Sequence, residues 1–249
     1  MRAIVLAAGR GERLRPLTDA VPKCLVPFRG RTILAHIAEA LERAGVRDVI
    51  VVTGYRADAI TALGFRTRHN ADFATTNMVH SLFCAEDVLE GDVLIVYGDI
   101  VFGPAIVEAL AREPASLAVA VNTRWRELWQ RRMRDPLADA ESLRLDGRGY
   151  VVEIGRRPRG YEDVQAQYMG LVRIGREATP RLRAFYRSLD RDRLYEGRDF
   201  HNMFMTAFLQ EVIDRLMPIK AVPVDGGWVE VDSLSDLAAY EALPEAFFA

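Results

Sequence analysis

Four short bursts of apolar, largely β-branched residues recur through the first half of the chain: IVLAA (4–8), VIVVTGY (49–55), VLIVY (93–97) and LAVAVN (117–122). None alternates apolar with polar positions, so each is expected to be buried on both faces, as strands of a parallel sheet are. Helical patterns lie between them. ILAHIAEALERAG (33–45) puts Ile33, Leu34, Ile37, Ala38 and Leu41 at helical spacing and stops at Gly45. NMVHSLFCAEDVLEG (77–91) reads as a second long helix, and PAIVEALARE (104–113) as a third that opens with proline at its first position. Such alternation predicts an α/β fold with a Rossmann-like, mostly parallel sheet covered on both faces.

The second half changes character. ESLRLDGRGYVVEIG (141–155) reads as a β-hairpin turning at DGRG, followed by a strand at YMGLVRI (168–174). Helices are expected at REATPRLRAFYRSL (176–189) and NMFMTAFLQEVIDRLM (202–217), then strands at IKAVPV (219–224) and WVEVD (228–232). A last helix, SLSDLAAYEAL (233–243), has Ser233 and Asp236 at capping spacing. No repeat, low-complexity run or linker interrupts the 249 residues, which suit one domain with an inserted hairpin-and-helix lobe.

Charge narrows the function classes. The formal net charge is −2, which gives no footing for a general nucleic-acid or membrane-surface binder. Any bound anion must be gripped by local cations. Cys24 and Cys84 are the only cysteines, with no metal or disulfide spacing. With no signal-peptide layout and no apolar run of about 20 residues, a soluble, cytoplasmic protein without membrane or nucleic-acid partners is the expectation.

One loop stands out. LAAGRGERLRPLTDAVPKCLVP (6–27) leaves the first strand at its carboxyl end, where open parallel sheets bind ligands. Gly9 and Gly11 allow backbone N–H groups close to phosphate oxygens, and Arg10, Arg13, Arg15 and Lys23 supply charge. A Walker loop is absent, and the dinucleotide fingerprint fails at Leu14, where its third glycine belongs. On the two glycines alone, a plain surface loop and a phosphate cradle are equally good readings.

The whole string is far more specific. It resembles the LxxGxGxRxxPLTxxxPKxLxP signature of nucleoside-triphosphate transferases that activate phosphorylated small molecules, and only spacer residues differ. The resemblance implies Mg²⁺-dependent nucleotidyl transfer, with Lys23 and Arg13 catalytic and Leu6, Ala7, Ala8, Gly9 and Gly11 around the nucleotide. VIVVTGY matches the strand and turn that contact the base, which assigns Gly54. VYGDIVF places Asp99 where the family keeps a metal-binding aspartate, and WVEVDSLSDL places Glu230 and Asp232 where phosphocholine-type cytidylyltransferases keep a second acidic cluster. Asp99 and Asp232 are thus the implied metal ligands.

ATTNMVHSL resembles the NNxxSL box of that subgroup, which assigns Asn77 and Ser81 to the nucleotide; Thr76 departs from its first asparagine. Read without the resemblance, Asn77 is a helix cap and Ser81 a packed serine. The stretch from WRELWQRRMRDP to QAQYMGLVRI looks like cytidylyltransferase modules of phosphonate biosynthesis. Glu230, Tyr168 and Trp129 become acceptor-binding candidates, either in an aromatic cage with Trp125, Trp228 and Tyr195 or through Glu230, Asp139 and Glu141 pairing with an amine. The basic run RWRELWQRRMR (124–134) reads as a solvated helix face, with phosphate recognition as the second reading, and His36, His69, His80 and His201 show no metal spacing.

The resemblance divides the domain into a nucleotide-binding part at about 1–122, an acceptor-binding part at about 123–217, and closing strands and helix at 218–249. It implies a cytidylyltransferase joining CTP to a small phosphate or phosphonate of the phosphocholine or 2-aminoethylphosphonate type, with Mg²⁺ as cofactor. The alternative is a sugar-1-phosphate nucleotidyltransferase using UTP or GTP. A homodimer is compatible with either.

Overall fold

A computed structural model describes residues 1–248. The first half contributes β1 (Arg2–Ala7), a small hairpin of β2 (Pro27–Phe28) and β3 (Arg31–Thr32), α1 (Ile33–Arg43), β4 (Asp48–Thr53), α2 (Ala57–Thr61) and β5 (Arg66–His69). Next come α3 (Met78–Phe83), β6 (Val93–Tyr97), β7 (Ile100–Phe102), α4 (Pro104–Arg112) and β8 (Leu117–Asn122). The rest comprises α5 (Trp125–Arg132), β9 (Leu143–Leu145), β10 (Tyr150–Ile154), β11 (Gln167–Ile174), α6 (Ala178–Ser188), α7 (Met205–Arg215), β12 (Ile219–Val224), β13 (Trp228–Glu230) and α8 (Leu234–Glu241).

Nine strands form one sheet in the order β5-β4-β1-β6-β11-β8-β12-β10-β9. Only β10 and β11 run against the others, so the sheet is mostly parallel, as its apolar strands predict. The hairpin of β9 and β10 turns where DGRG predicts, and it pairs through β12 with the edge of the sheet. The inserted lobe is therefore continuous with the sheet, and β11 lies inside it between β6 and β8.

Local chemistry sets the helix ends. Thr32 Oγ1 accepts from the Ala35 N–H to cap α1, and Gly45 follows the helix with φ at 79°. Pro104 opens α4. Ser233 and Asp236 form a reciprocal capping box on α8. Ser233 thus takes the cap, and Asp232 is left for other work.

The long helix expected over 77–91 is two shorter pieces. α3 stops at Phe83, Ala85 N–H bonds to the carbonyl of Leu82, and a 3₁₀ turn follows at Glu86–Val88. Tightening from four-residue to three-residue hydrogen bonds lets Leu82, Ala85, Val88 and Leu89 all become buried. β5, RTRH, escapes sequence reading because it is a charged edge strand without an apolar pattern.

A two-stranded ladder outside the main sheet matters most for function. β7 and β13 pair antiparallel, with Glu230 opposite Ile100, and the Val231 N–H donates to the Asp99 carbonyl at 2.9 Å. The residue following β6 is Gly98, whose N–H donates to Leu6 O at 2.9 Å. A Cβ there would lie 2.6 Å from that oxygen and 3.0 Å from Ala7 Cα. Gly98→Ala is expected to lower stability by about 1–3 kcal/mol through this overpacking, measured by denaturant titration.

Candidate active site

The loop after β1 is shaped around Lys23. Gly11 has φ at 78°, and a Cβ on it would meet Lys23 Cβ at 2.9 Å, so glycine both permits the turn and makes room for the lysine stem. Thr18 Oγ1 donates to Gly11 O at 2.9 Å, and Leu14 is fully buried beneath the loop. Lys23 then starts a 3₁₀ turn, Lys23–Leu25, that aims its side chain back over the sheet.

Two cavities meet there. The first, about 150 Å³, is lined by Leu6, Ala7, Ala8 and Gly9 at the end of β1, and by Lys23. Asn77 and Ser81 of the α3 region line its far wall. The second, about 310 Å³, is lined by Arg13, Trp129, Tyr168, Glu230 and Asp232. Asn77 and Asp99 line both. Gly11 and Gly54 line neither. Gly54 instead allows a close crossing, since a Cβ there would meet Phe73 Cβ at 2.5 Å and Ala8 O at 2.6 Å. Phe73 itself lines the first cavity.

Asn77 caps α3, with Oδ1 accepting from the Met78 N–H at 2.8 Å, while still reaching both cavities. Ser81 Oγ accepts from Asn70 Nδ2 at 2.9 Å. Trp129 is buried, donates from Nε1 to Asp139 Oδ2 at 3.0 Å, and stacks on Trp228 at 6.1 Å. Tyr168 meets Tyr97 edge-on, its buried hydroxyl without a hydrogen-bond partner among the described residues. Of the expected cage, Trp129, Tyr168 and Trp228 line the second cavity. Trp125 packs behind Trp129, and Tyr195 is buried elsewhere with its hydroxyl on the Asp190 carbonyl.

At the junction of the cavities the Lys23 ammonium donates to Asp99 Oδ2 at 2.7 Å and to Asp232 Oδ1, although Lys23 and Asp232 are 209 residues apart in sequence. Arg13 Nη2 lies 3.0 Å from Asp232 Oδ2. Burial works to lower the Lys23 pKa, but Asp99, Asp232 and Glu230 outweigh it and the pKa is raised. Burial likewise works to raise Asp232, yet Lys23 and Arg13 hold it below the usual carboxylate range. Glu230 goes the other way: burial, then Asp232 and Asp99, push its pKa well up.

Oxygens of Asp99, Glu230 and Asp232 lie within 4.8 Å of one another. Asp99 Oδ1 is buried, with no hydrogen-bond partner among the described residues. An all-oxygen donor set with an orphaned carboxylate oxygen suits a hard divalent cation such as Mg²⁺. Lys23 lies against this cluster and neutralises part of its charge.

Sequence reading missed Arg132. It ends α5 inside the basic run expected to be solvated, yet its side chain is only 3% exposed and pairs with Asp236 and Asp139. The run is thus a solvated face only in part: Trp125, Leu128 and Trp129 are buried too. The signal was available, since 125, 128, 129 and 132 follow helical spacing and Arg132 continues the buried stripe.

A glycine-rich loop at the end of the first parallel strand, a buried lysine and a carboxylate cluster between two cavities define a nucleotide-transferring site, and comparison with known proteins agrees. Residues 3–156 match the model of the MobA-like NTP transferase domain. The chain is 40% identical over 248 residues to the CTP:phosphoglutamine cytidylyltransferase of Campylobacter jejuni, covering 95% of this chain and 98% of that protein. It is 31% identical over 249 residues to the CMP-5′-(3-aminopropyl)phosphonate synthase of Streptomyces rubellomurinus, covering 97% of this chain and 36% of that longer protein. The fold is shared with the CTP:phosphocholine cytidylyltransferase from Streptococcus pneumoniae, at TM-score 0.71 and 20% identity over 96% of this chain and 97% of that one. It is also shared with the inositol-1-phosphate CTP transferase of T. maritima, at TM-score 0.75 and 22% identity over 98% and 97%. The chain belongs to the MobA-like NTP transferase family and is a nucleotidyltransferase.

Lys23→Met would leave three carboxylates facing one another without their nearest cation. The folded-state pKa values of Asp232 and Glu230, which Lys23 pulls down, then rise, and such groups cost stability as pH climbs above their unfolded values near 4. The melting-temperature deficit of Lys23→Met against the wild type is expected to widen from about pH 4 to pH 7, as thermal melts across that range would show.

Proposed function

We propose that this enzyme is a Mg²⁺-dependent cytidylyltransferase that joins CTP to a small amine-bearing phosphate or phosphonate, giving a CMP-linked product and pyrophosphate. The observation that carries the reading is the Lys23 ammonium held between Asp99 and Asp232 where the two cavities meet. The near full-length similarity to a CTP-using enzyme supports the choice of nucleotide. Leu6, Ala7, Ala8 and Gly9 would hold CTP with Asn77 and Ser81, and the second cavity would hold the acceptor.

An acceptor oxygen bonds to the α-phosphorus as the bond to the β-phosphate oxygen breaks, and pyrophosphate leaves with the electron pair. The acceptor's second ionisation lies near ~6, so the attacking oxygen is already largely deprotonated at neutral pH and no general base is needed. Catalysis then comes from alignment and charge neutralisation. Lys23, kept protonated by its neighbours, stabilises charge on the α-phosphate in the transition state. Arg13, largely exposed at the cavity mouth, meets the departing pyrophosphate. Asp99 and Asp232, with Glu230 beside them, would hold Mg²⁺, which when bound screens the phosphate charges from one another.

Glu141 supports an amine on the acceptor. It lines the second cavity, and among the described residues it has no ion-pair partner. Water reaches it, yet the surrounding protein, and then Asp139, push its carboxyl up to about 7. A carboxylate without a cation, on a wall also lined by Tyr168 and Trp129, suits an ammonium or zwitterion.

CTP, UTP and GTP offered with phosphocholine, 2-aminoethylphosphonate, 3-aminopropylphosphonate, phosphoglutamine and glucose 1-phosphate, with pyrophosphate release as readout, test the reading. CTP with an amine-bearing acceptor is expected to dominate, and turnover of UTP or GTP with the sugar phosphate alone would overturn it. In that assay Lys23→Met is expected to lower kcat by about 10²–10³-fold while circular dichroism stays native.

The pH dependence separates the two ionisations. The acceptor KM is expected to fall as pH rises from 6 to 8, because Glu141 pairs with an ammonium only once ionised and the acceptor phosphate gains charge too. Glu141→Gln removes the first contribution, so its KM should be higher at pH 8 and vary less with pH than the wild type's.

A further inference from the structure

Helix α5 ends in a guanidinium that reaches both sides of the site. Arg132 donates from Nε to Asp236 Oδ1 at 2.9 Å and from Nη2 to Asp236 Oδ2 at 3.3 Å. That second oxygen also accepts from the backbone N–H groups of Asp232 at 3.0 Å and Ser233 at 2.9 Å. Arg132 therefore holds the group that holds the backbone from which the Asp232 carboxylate projects. Its own Nη2 stands 3.9 Å from Asp232 Oδ2. On the other side Nη1 donates to Asp139 Oδ2 at 3.4 Å, the oxygen that also accepts from Trp129 Nε1. The guanidinium lies over Trp129 at 5.2 Å from the ring centroid, and Trp129 stacks on Trp228 of β13.

We propose that Arg132 is a positioning residue that sets two carboxylates through one buried planar fork: Asp232 in the acidic cluster and Asp139 in the wall of the second cavity. Helix capping does not account for it, because the box on α8 needs only Ser233 and Asp236. Ordinary surface pairing does not account for it either, because a buried guanidinium is costly unless its donors are matched. A guanidinium presents donors in fixed directions within one plane, which a lysine ammonium cannot reproduce. Movement at either carboxylate is thus resisted by the same rigid group.

The inference rests on the cytidylyltransferase reading above, and its test separates the two. Mn²⁺ is titrated into the full chain with free Mn²⁺ read by electron paramagnetic resonance. KM is measured for CTP and for the acceptor that the wild type turns over fastest in the screen above. Arg132→Lys, folded by circular dichroism, is expected to bind Mn²⁺ about tenfold more weakly, as loss of a group that orients a metal ligand typically does. Its acceptor KM should rise by a similar factor, while KM for CTP at saturating metal changes less than about twofold.

Asp236→Asn turns an amide N–H₂ toward Arg132. It should weaken Mn²⁺ binding without the rise in acceptor KM, because Asp236 does not touch Asp139. The double variant should bind Mn²⁺ no worse than the weaker single variant, since both act through one link. Arg131→Lys, at the exposed neighbouring position, should change nothing. A folded Arg132→Lys with Mn²⁺ affinity and acceptor KM within about twofold of wild type would overturn the proposal. Should Arg132→Lys fail to fold, unchanged Mn²⁺ affinity in Asp236→Asn overturns it equally. A wild type that takes up no Mn²⁺, or that turns over no CTP, would instead sink the reading of the site itself and this inference with it.

Discussion

One ammonium between two aspartates organises this protein. Without Lys23, Asp99 and Asp232 would face each other and Glu230 across a few ångströms of partly desolvated space, where like charges repel strongly. With it, the cluster is tolerable before any substrate arrives, and the lysine is held protonated. The arrangement is not assembled by the ions. Each side chain is delivered by backbone that is fixed elsewhere: the Gly11 turn under Lys23, the end of β6 before Asp99, and the short β7–β13 ladder that brings the chain back to Asp232. In the proposed reaction the same lysine then faces the phosphate being transferred.

Sheet direction explains how two cavities come to share an edge. β1, β4 and β6 all end on the same side, so their loops crowd there, as in any open parallel sheet. β11 enters between β6 and β8 in the opposite sense. An antiparallel strand brings its first residues to the edge where parallel strands bring their last, and Gln167 accordingly pairs with Asn122 at the end of β8. Tyr168 therefore reaches the second cavity from the start of its strand. The proposed acceptor site is built on the same sheet as the proposed nucleotide site, which fixes the distance between them.

Much of this was legible. The inner strands announced themselves because strands buried on both faces must be apolar throughout. The loop from Leu6 to Pro27 was legible because its glycines, arginine and lysine sit at fixed spacings in a single continuous string. α3 misled because helical apolar spacing cannot distinguish four-residue from three-residue hydrogen bonding over the few residues between Phe83 and Val88. Arg132 misled because its charge outweighed its position on a buried stripe. Gly54, matched to base contact, lines neither cavity; its closeness to Phe73 and Ala8 became visible only when the chain folded over it.

The sequence by itself determined which inner strands must be buried, where most of the long helices begin and end, and that a loop rich in local cations follows the first strand. These are properties of neighbouring residues, set by apolar pattern, capping and backbone preference. Only the tertiary structure decided that Lys23 meets Asp232, that Glu141 has no ion-pair partner among the described residues, and that Arg132 links the acidic cluster to the cavity wall. Those are meetings between residues far apart along the chain. Strand order and direction settle them, and no local pattern carries that information.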